Sequence, residues 1–197
     1  MNRVARFSKV SFEQYLEDYI MLFPETDVAS QDVLNQIKAQ FDAIQLPTRA
    51  TAGSAWYDFY SPVDFTLQPK VENKFIPIRD NIGQFMVILN NDCTITIPTG
   101  IRCQIDESYV LFIAPRSSLG FKYEAMLANT LGVIDADYFF ANNEGHIMAK
   151  VVNNGNRTLK VKAGDRFMQG IFLPYGITYD DDVTDQRTGG VGSTGIK

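Results

Sequence analysis

The sequence predicts a mainly β protein, a jelly-roll-like barrel or sandwich that follows a helical N-terminal extension. From residue 46 onward, short runs rich in Val, Ile, Phe, Tyr and Thr alternate with Pro, Gly, Asn and Asp. Many short strands separated by turn signals are typical of all-β sandwiches and barrels. Before residue 46, two segments instead carry apolar residues at helical spacing, which predicts helices.

The first predicted helix begins at Ser11, which forms a capping-box pattern with Gln14, and it ends before Pro24. The second begins after Ser30. The apolar stripes are Phe12, Tyr15, Leu16 and Tyr19 in the first helix, and Val33, Ile37, Phe41 and Ile44 in the second. Neither helix contains recognisable chemistry, so we expect an extension that packs or supports an oligomer.

The predicted strands occupy 64–67, 75–78, 85–89, 94–97, 101–105, 109–113, 147–152, 159–161 and 167–173. After residue 179 the chain becomes acidic and then ends in a glycine-rich tail. These changes divide the chain into a helical extension at 1–45, a β domain at 46–179 and a flexible arm at 180–197.

Composition excludes several classes of protein. The net charge is −5, whereas proteins that hold long nucleic acids are normally basic. No run approaches the roughly 20 apolar residues of a membrane span. Cys93 and Cys103 are too few for a disulfide framework and lack metal-site spacing. We expect a cytosolic protein that binds neither membrane nor nucleic acid, and whose polyanionic ligand, if any, is small.

The tail at 188–195 contains glycines and hydroxyls, whose backbone N–H groups could surround phosphate oxygens. It lacks the Gly-Lys-Ser/Thr ending of a P-loop. It does match the G-x-G-x-x-G pattern, but only two residues follow, which leaves no room for the helix of a dinucleotide site. By composition alone, a frayed terminus explains the tail equally well.

Three internal segments could also carry chemistry. Residues 114–120 place Arg116 and two serines after a strand, as an anion site or a simple turn. In 129–138, Asp135 and Asp137 would share one face if the segment is extended, and could activate water or merely form turn hydrogen bonds. Residues 164–169 combine a turn, an expected Asp165–Arg166 ion pair and a glutamine on a strand.

Taken together, the order of these motifs resembles that of the trimeric dUTPase family. The segments are an Asp near the start of the β region, P-R-S-S-L, G-V-I-D-x-D-Y, G-D-R-x-x-Q and a terminal G-G-x-G-S-T-G, within residues 46–195. The resemblance implies a jelly-roll-like subunit and a homotrimer with shared active sites. It also implies hydrolysis of Mg²⁺-bound dUTP to dUMP and pyrophosphate.

The resemblance further implies a role for each matching residue. Asp135 matches the general base for the attacking water, and Asp58 matches the residue that orders Mg²⁺ through water. Asn129 matches the side chain that helps to read uracil, and Tyr138 the ring beneath the deoxyribose that disfavours a 2′-hydroxyl. The other implied substrate-binding residues are Arg116, Ser117, Ser118, Gly132, Ile134, Gln169, Gly192, Ser193 and Thr194.

The chain also departs from the family pattern. Trp56 stands where glycine is usual, and Val191 replaces the aromatic residue of the arm that stacks on uracil. Gln186 occupies the position of the arm's arginine, and Arg187 is expected to reach the γ-phosphate instead. Two insertions lie at 71–91 and 139–143. We expect the lone histidine, His146, to be structural.

Three alternatives remain open from sequence. A dCTP deaminase would share the fold and the R-S-S segment, but deaminases place a catalytic glutamate where this chain has Asp135. A dUTPase-like regulatory protein would use nucleotide occupancy as a switch. An inert jelly roll would leave the ordered polar motifs unexplained.

Overall fold

The computed structural model describes residues 2–70, 78–79, 85–86, 93–185, 187 and 189, with backbone only at 78–79 and 85–86. The predicted strands at 75–78 and 85–89, and the insertion at 71–91, therefore lie largely outside the described residues. The arm residues Gln186, Val191, Gly192, Ser193 and Thr194 lie outside them as well.

Both predicted N-terminal helices are present, as α1 (Phe12–Leu22) and α2 (Gln31–Ala43). The Ser11 hydroxyl accepts a 3.1 Å hydrogen bond from the Gln14 N–H and so caps α1. The reciprocal half of the predicted capping box is wrong, because Glu144 rather than Gln14 accepts from the Ser11 N–H, at 2.8 Å. A third helix, α3 (Ser117–Tyr123), stands where the sequence left a turn as one alternative.

The described residues form fourteen strands. They are β1 (Ala5–Lys9), β2 (Thr48–Arg49), β3 (Tyr57–Tyr60), β4 (Phe65–Leu67), β5 (Ile78–Arg79), β6 (Phe85–Met86), β7 (Thr94–Pro98), β8 (Ile101–Ile105), β9 (Tyr109–Pro115), β10 (Ala125–Leu127), β11 (Gly132–Ile134), β12 (Met148–Asn153), β13 (Leu159–Val161) and β14 (Arg166–Pro174).

These strands pair antiparallel throughout the described part of the chain. The largest sheet has the order β11-β9-β14-β3-β2, and a second has the order β10-β12-β7. Pairs β1-β8, β13-β4 and β5-β6 complete the arrangement. Among the described strands, only β2 with β3 and β5 with β6 are neighbours both in the chain and in a sheet, so most pairs join strands that are distant in the sequence.

Strand β1 was not predicted. Its partner is β8, with Ala5 opposite Ile105 and Lys9 opposite Ile101. Residues Ala5–Lys9 carry little strand signal because Phe7 is their only large apolar side chain. Phe7 nevertheless packs edge-on against two rings of β3, with centroids 5.4 and 5.5 Å away.

The core lies between the sheets and extends beneath the N-terminal helices, since Tyr15 and Ile37 are as buried as the strand residues. At the centre of the largest sheet, β14 lies between β9 and β3. Gly170 of β14 lets the side chains of Leu111 and Phe59 pack against its backbone. A Cβ at Gly170 would lie 2.8 Å from Leu111 and 3.1 Å from Phe59. This position places the start of β14 next to both β3 and the end of β9, and several polar side chains lie there. Among the described residues, no helix is both long and apolar enough to cross a membrane.

Candidate active site

Three separate motifs meet around Asp58 on β3. Asp58 is only 7% exposed, and a buried carboxylate requires charged or hydrogen-bonding partners. Arg116, at the end of β9, approaches one of its oxygens through Nε at 2.9 Å. Arg166, at the start of β14, approaches the other through Nη1 at 3.1 Å. We call Asp58, Arg116 and Arg166 the arginine cluster.

The expected Asp165–Arg166 ion pair is therefore wrong. Asp165 accepts a 2.9 Å hydrogen bond from the Lys162 N–H and closes the turn before β14. Successive side chains at the start of a strand point in opposite directions, so Arg166 faces Asp58 while Asp165 remains in the turn.

The second and fourth motifs contribute polar groups beside this cluster. Ser117 and Ser118 are exposed in the first turn of α3, where backbone N–H groups have no partner inside the helix. Gln169 lies opposite Asp58 on one side and Ala114 on the other. Its Nε2 donates to the Pro115 carbonyl at 3.4 Å. These neighbours form a surface on which an anion would meet cationic and N–H donors.

The third motif lines a different site. Strand β11 pairs with β9, with Gly132 opposite Ile113 and Ile134 opposite Leu111. Beside it lies a pocket of about 170 Å³, which we call the hairpin pocket. Its lining residues are Ile113, Leu127, Asn129, Gly132, Val133, Ile134, Tyr138, Met148, Ala149, Lys150 and Arg187.

Asp135 lies immediately after β11 and precedes a 3₁₀ helix at Ala136–Phe140. The premise that this segment stays extended through Asp137 is wrong, because the chain coils from Ala136 onward. Both carboxylates nevertheless face the same cation. Nη1 of Arg187 lies 3.3 Å from Oδ2 of Asp135 and 3.6 Å from Oδ1 of Asp137.

Arg187 also lies over the ring of Tyr138, with its guanidinium carbon 4.9 Å from the ring centroid. A guanidinium at this distance is attracted to the aromatic face. In this structure Arg187 therefore contacts the carboxylates and the ring of its own chain. The sequence expectation that it reaches a γ-phosphate stays a prediction.

The hydroxyl of Tyr138 is held by hydrogen bonds inside the protein. Its hydroxyl donates to the His146 carbonyl at 2.7 Å and accepts from the Asn143 amide at 2.9 Å. Burial raises the pKa of the Tyr138 phenol, against lowering effects from Asn143 and Arg187. The ring is thus fixed and neutral near pH 7, with its polar atom inside the protein.

His146 is structural, as its contacts show. It is fully buried, with Nδ1 2.6 Å from Asp18 and Nε2 accepting from the Gly100 N–H at 2.8 Å. Asp18 was not predicted as its partner, although the sequence contains one signal for it. It follows Tyr15 by three residues on α1, which places a carboxylate on the buried face of the helix.

No hydrogen bond or ion pair among the described residues joins the arginine cluster to the hairpin pocket. A larger cavity of about 540 Å³ borders α2, and its lining includes the amides Gln36, Gln40 and Gln45 but no charged side chain. Among the described residues, the predicted site residues therefore belong to two groups, one around the arginine cluster and one around the hairpin pocket.

Comparisons with known proteins identify the fold and the family. A family model described as dUTPase matches residues 84–195. The deoxyuridine 5′-triphosphate nucleotidohydrolase of Dictyoglomus turgidum is 35% identical over 158 residues, which cover 78% of this chain and 92% of that protein. The protein of the same name from Lactococcus lactis is 31% identical over 155 residues, or 77% and 89% of the two chains.

Solved structures agree with these relatives. A dUTPase from Streptococcus mutans is similar with a TM-score of 0.52 and 30% identity, over 68% of this chain and 88% of that chain. The likeness confirms the mainly β, jelly-roll-like fold that the sequence predicts. The relatives carry the name of the nucleotidohydrolase and not of a deaminase. With a family match over more than half of its length, this chain belongs to the dUTPase family.

Proposed function

We propose that this protein is a dUTP diphosphatase, which hydrolyses dUTP to dUMP and pyrophosphate. The observation that carries the proposal is the exposed carboxylate of Asp135 beside the hairpin pocket. Its side chain is 57% exposed and, among the described residues, pairs only with Arg187. A carboxylate placed in this way is free to bind a water and accept its proton.

The nucleoside half of the substrate would occupy the hairpin pocket. Asn129 offers an amide that can both donate and accept hydrogen bonds to the uracil edge, and Gly132 and Ile134 line the same space. The buried ring of Tyr138 forms the floor beneath the deoxyribose, where a 2′-hydroxyl would meet an apolar face. Arg187 would have to leave this ring when the sugar binds.

The triphosphate would bind the surface formed by the arginine cluster, Ser117, Ser118 and Gln169. Because Arg116 meets Asp58 through Nε, its two Nη groups remain available for phosphate oxygens. The glycine-rich arm, with Gly192, Ser193 and Thr194, would add N–H and hydroxyl donors around the phosphates.

Hydrolysis then needs one proton transfer and one displacement. Asp135 accepts a proton from water as the water oxygen forms a bond to phosphorus. The bond from that phosphorus to the pyrophosphate leaving group breaks, and cationic donors stabilise the developing charge.

Mg²⁺ fits this site as an ion held chiefly by the substrate. One carboxylate oxygen of Asp58 accepts a hydrogen bond from Arg166 and the other forms an ion pair with Arg116, but each oxygen retains a lone pair for a water molecule. Mg²⁺ keeps several waters and prefers phosphate and carboxylate oxygens, so Asp58 would contact it through water. When bound, the ion neutralises phosphate charge.

We also propose that the active protein is a homotrimer. No hydrogen bond or ion pair among the described residues joins the arginine cluster to the hairpin pocket, so we infer that a site containing both draws them from neighbouring subunits. The trimeric architecture expected from the sequence supplies such neighbours.

The test is pyrophosphate release from dUTP with Mg²⁺, run beside dTTP, dCTP and UTP, with ammonia release from dCTP measured in parallel. We expect release from dUTP alone. Equal release from UTP would contradict the role of Tyr138, and no release from dUTP would contradict the proposed function.

A further inference from the structure

The N-terminal helix α1 is tied to the loop that supports Tyr138. This loop, residues 143–146, begins at the last residue of the insertion at 139–143 and lies before β12. Helix α1 contacts it at two places, one near each end of the helix. The sequence predicts that the N-terminal extension packs or supports an oligomer. That expectation does not explain hydrogen bonds between carboxylates and their partners at both places.

The first contact joins Asp18 to His146. The Gly100 N–H donates to Nε2 of His146, so that nitrogen carries no proton. The imidazole proton must therefore reside on Nδ1, where it is donated to Asp18 at 2.6 Å. With both ring nitrogens engaged, and with His146 fully buried, the histidine has one orientation and one tautomer.

The second contact joins Ser11 to Glu144. The Ser11 hydroxyl and N–H donate to the two carboxylate oxygens at 2.6 and 2.8 Å. Burial opposes ionisation of Glu144, but these hydrogen bonds and Arg102 outweigh it and lower the pKa of the carboxyl. The same arginine donates to the Phe139 carbonyl at 2.7 Å. The loop is thus clamped on both sides of Gly145.

The loop in turn fixes Tyr138. The carbonyl of His146 accepts the Tyr138 hydroxyl, and the amide of Asn143 donates to the same hydroxyl. Asp18 therefore holds the His146 ring, and the backbone carbonyl of the same residue holds the Tyr138 hydroxyl. No residue of this path belongs to the arginine cluster.

We infer that Asp18 is a positioning residue, which acts through His146 to hold the Tyr138 ring at the depth that excludes a 2′-hydroxyl. This inference rests on the proposed function, since it concerns selectivity between dUTP and UTP. Loss of the Asp18 contact would leave the His146 ring held only through Nε2. The backbone of residue 146, whose carbonyl receives the Tyr138 hydroxyl, would then lose one restraint, and the Tyr138 ring could shift. Displacements of about 1 Å in a positioned group cost up to about a hundredfold in rate.

The test compares Asp18→Ala with Asp18→Asn in the full chain. Asparagine keeps an oxygen that accepts from Nδ1, whereas alanine does not. The control is Ile37→Val on α2, a mild core change that weakens the helical extension without touching the loop. For each protein we would measure kcat and KM for dUTP and UTP, thermal unfolding, and amide hydrogen exchange across residues 138–147.

For Asp18→Ala we expect a higher KM for dUTP and a preference for dUTP over UTP that falls at least about tenfold, with faster exchange at 138–147. Asp18→Asn should retain the preference, and Ile37→Val should retain it despite a lower Tm. Should Asp18→Ala not fold, Asp18→Ser replaces it, because the serine hydroxyl is too short to reach Nδ1.

Two results would overturn the inference. One is an unchanged preference in Asp18→Ala, and the other is an equal loss in Ile37→Val, which would mark the effect as general destabilisation. If the wild-type protein does not hydrolyse dUTP, the proposed function fails separately. Exchange at residues 138–147 then still decides whether Asp18 holds the loop.

Discussion

Asp58 and Asp135 show how environment divides the work of one type of side chain. Asp58 is buried between two guanidinium groups, which it holds next to each other where we propose that a phosphate binds. Asp135 is exposed beside the hairpin pocket and can exchange Arg187 for a water. Burial and partners, rather than residue identity, thus separate a structural carboxylate from a proposed base.

At the residue scale we first predict the effect of Asp135→Asn. The amide cannot accept a proton from water, and loss of a general base typically costs about 10²–10⁴ in rate. We expect the fold to be retained and pyrophosphate release from dUTP to fall by at least about a hundredfold. Asp137→Asn is the matched control, since it also faces Arg187 and should stay active. A wild-type rate in Asp135→Asn would refute the assignment.

A second residue-scale prediction concerns Cys103. Burial raises the pKa of its thiol from 9.0 to about 12, so the unfolded chain releases this proton first. The stabilisation is therefore complete below pH 9 and is lost as the pH rises from 9 to 12, by about 1 kcal/mol at pH 10. Urea unfolding would measure the free energy of unfolding at pH 8 and at pH 10. The difference between the two values should be smaller in Cys103→Ala than in the wild-type protein. An equal difference would show that other groups account for it.

The candidate site was largely predictable residue by residue, because Arg116, Asn129, Asp135 and Tyr138 carry their chemistry in their own side chains. Their roles stay predictions. The contacts that sequence reasoning missed depend on distant partners. Asp18 meets His146 across 128 positions, and no local pattern encodes such a pairing.

At the scale of elements, the N-terminal helices are part of the core. Tyr15 and Ile37 are 0% and 2% exposed, and a Cβ on Gly100 would lie 2.3 Å from Ile44. The helices therefore sit in direct contact with the turn between β7 and β8. The helices are therefore packed into the core, whereas the apolar stripes alone suggested an appendage.

We therefore predict that a chain lacking residues 1–45 does not fold on its own. Loss of residues 1–45 removes β1 from the edge of β8 and exposes apolar core residues to solvent, which favours aggregation. Size-exclusion chromatography and circular dichroism would measure this, with removal of residues 1–3 as a harmless control. A well-folded, monodisperse 46–197 fragment would show that the extension is dispensable.

The loop under Tyr138 gives a further element-scale prediction. Gly145 has φ +69°, and a Cβ there would lie 2.6 Å from the Tyr138 carbonyl oxygen and 2.7 Å from the Phe139 Cα. We expect Gly145→Ala to lower the free energy of unfolding by about 2 kcal/mol or more, measured with urea. Gly53→Ala, which has open space around it, should change it little, and equal effects would contradict this explanation.

The elements themselves were predicted unevenly. Strands β8 and β13 have the predicted bounds, because apolar and polar residues alternate clearly in both. Five strands, β1, β2, β3, β10 and β11, were missed, since runs of two to five residues are too short to carry a periodic signal. Their pairing comes from the sheet that receives them.

At the scale of the whole molecule, charge is unevenly distributed. The chain carries −5 overall, yet the arginine cluster contains two guanidinium groups and one carboxylate. A short polyphosphate can contact this local excess of positive charge alone, whereas a long polyanion would also contact the rest of a chain whose net charge is negative. The distribution therefore favours a free nucleotide over a nucleic-acid strand.

The proposed trimer leads to a prediction that single chains cannot test. Arg116→Ala disables the arginine cluster and Asp135→Asn disables the hairpin pocket, so each variant alone should be inactive. If neighbouring subunits supply the two halves, co-refolded mixtures should recover about a quarter of the wild-type activity, because each half is intact with even odds. A double variant mixed with wild type serves as control. No recovery would place both halves in one chain.

The pairing of β1 with β8 also has a consequence for how the protein is made. Ala5 meets Ile105, and Ser11 meets Glu144 across 133 positions. Synthesis at about 5–20 residues per second leaves the first segment without these partners for on the order of ten seconds. During that interval the apolar stripe of α1 is exposed on the nascent chain, where a chaperone could bind it. The N-terminal segment therefore completes its pairing only after residues about 100 or more positions later have been made.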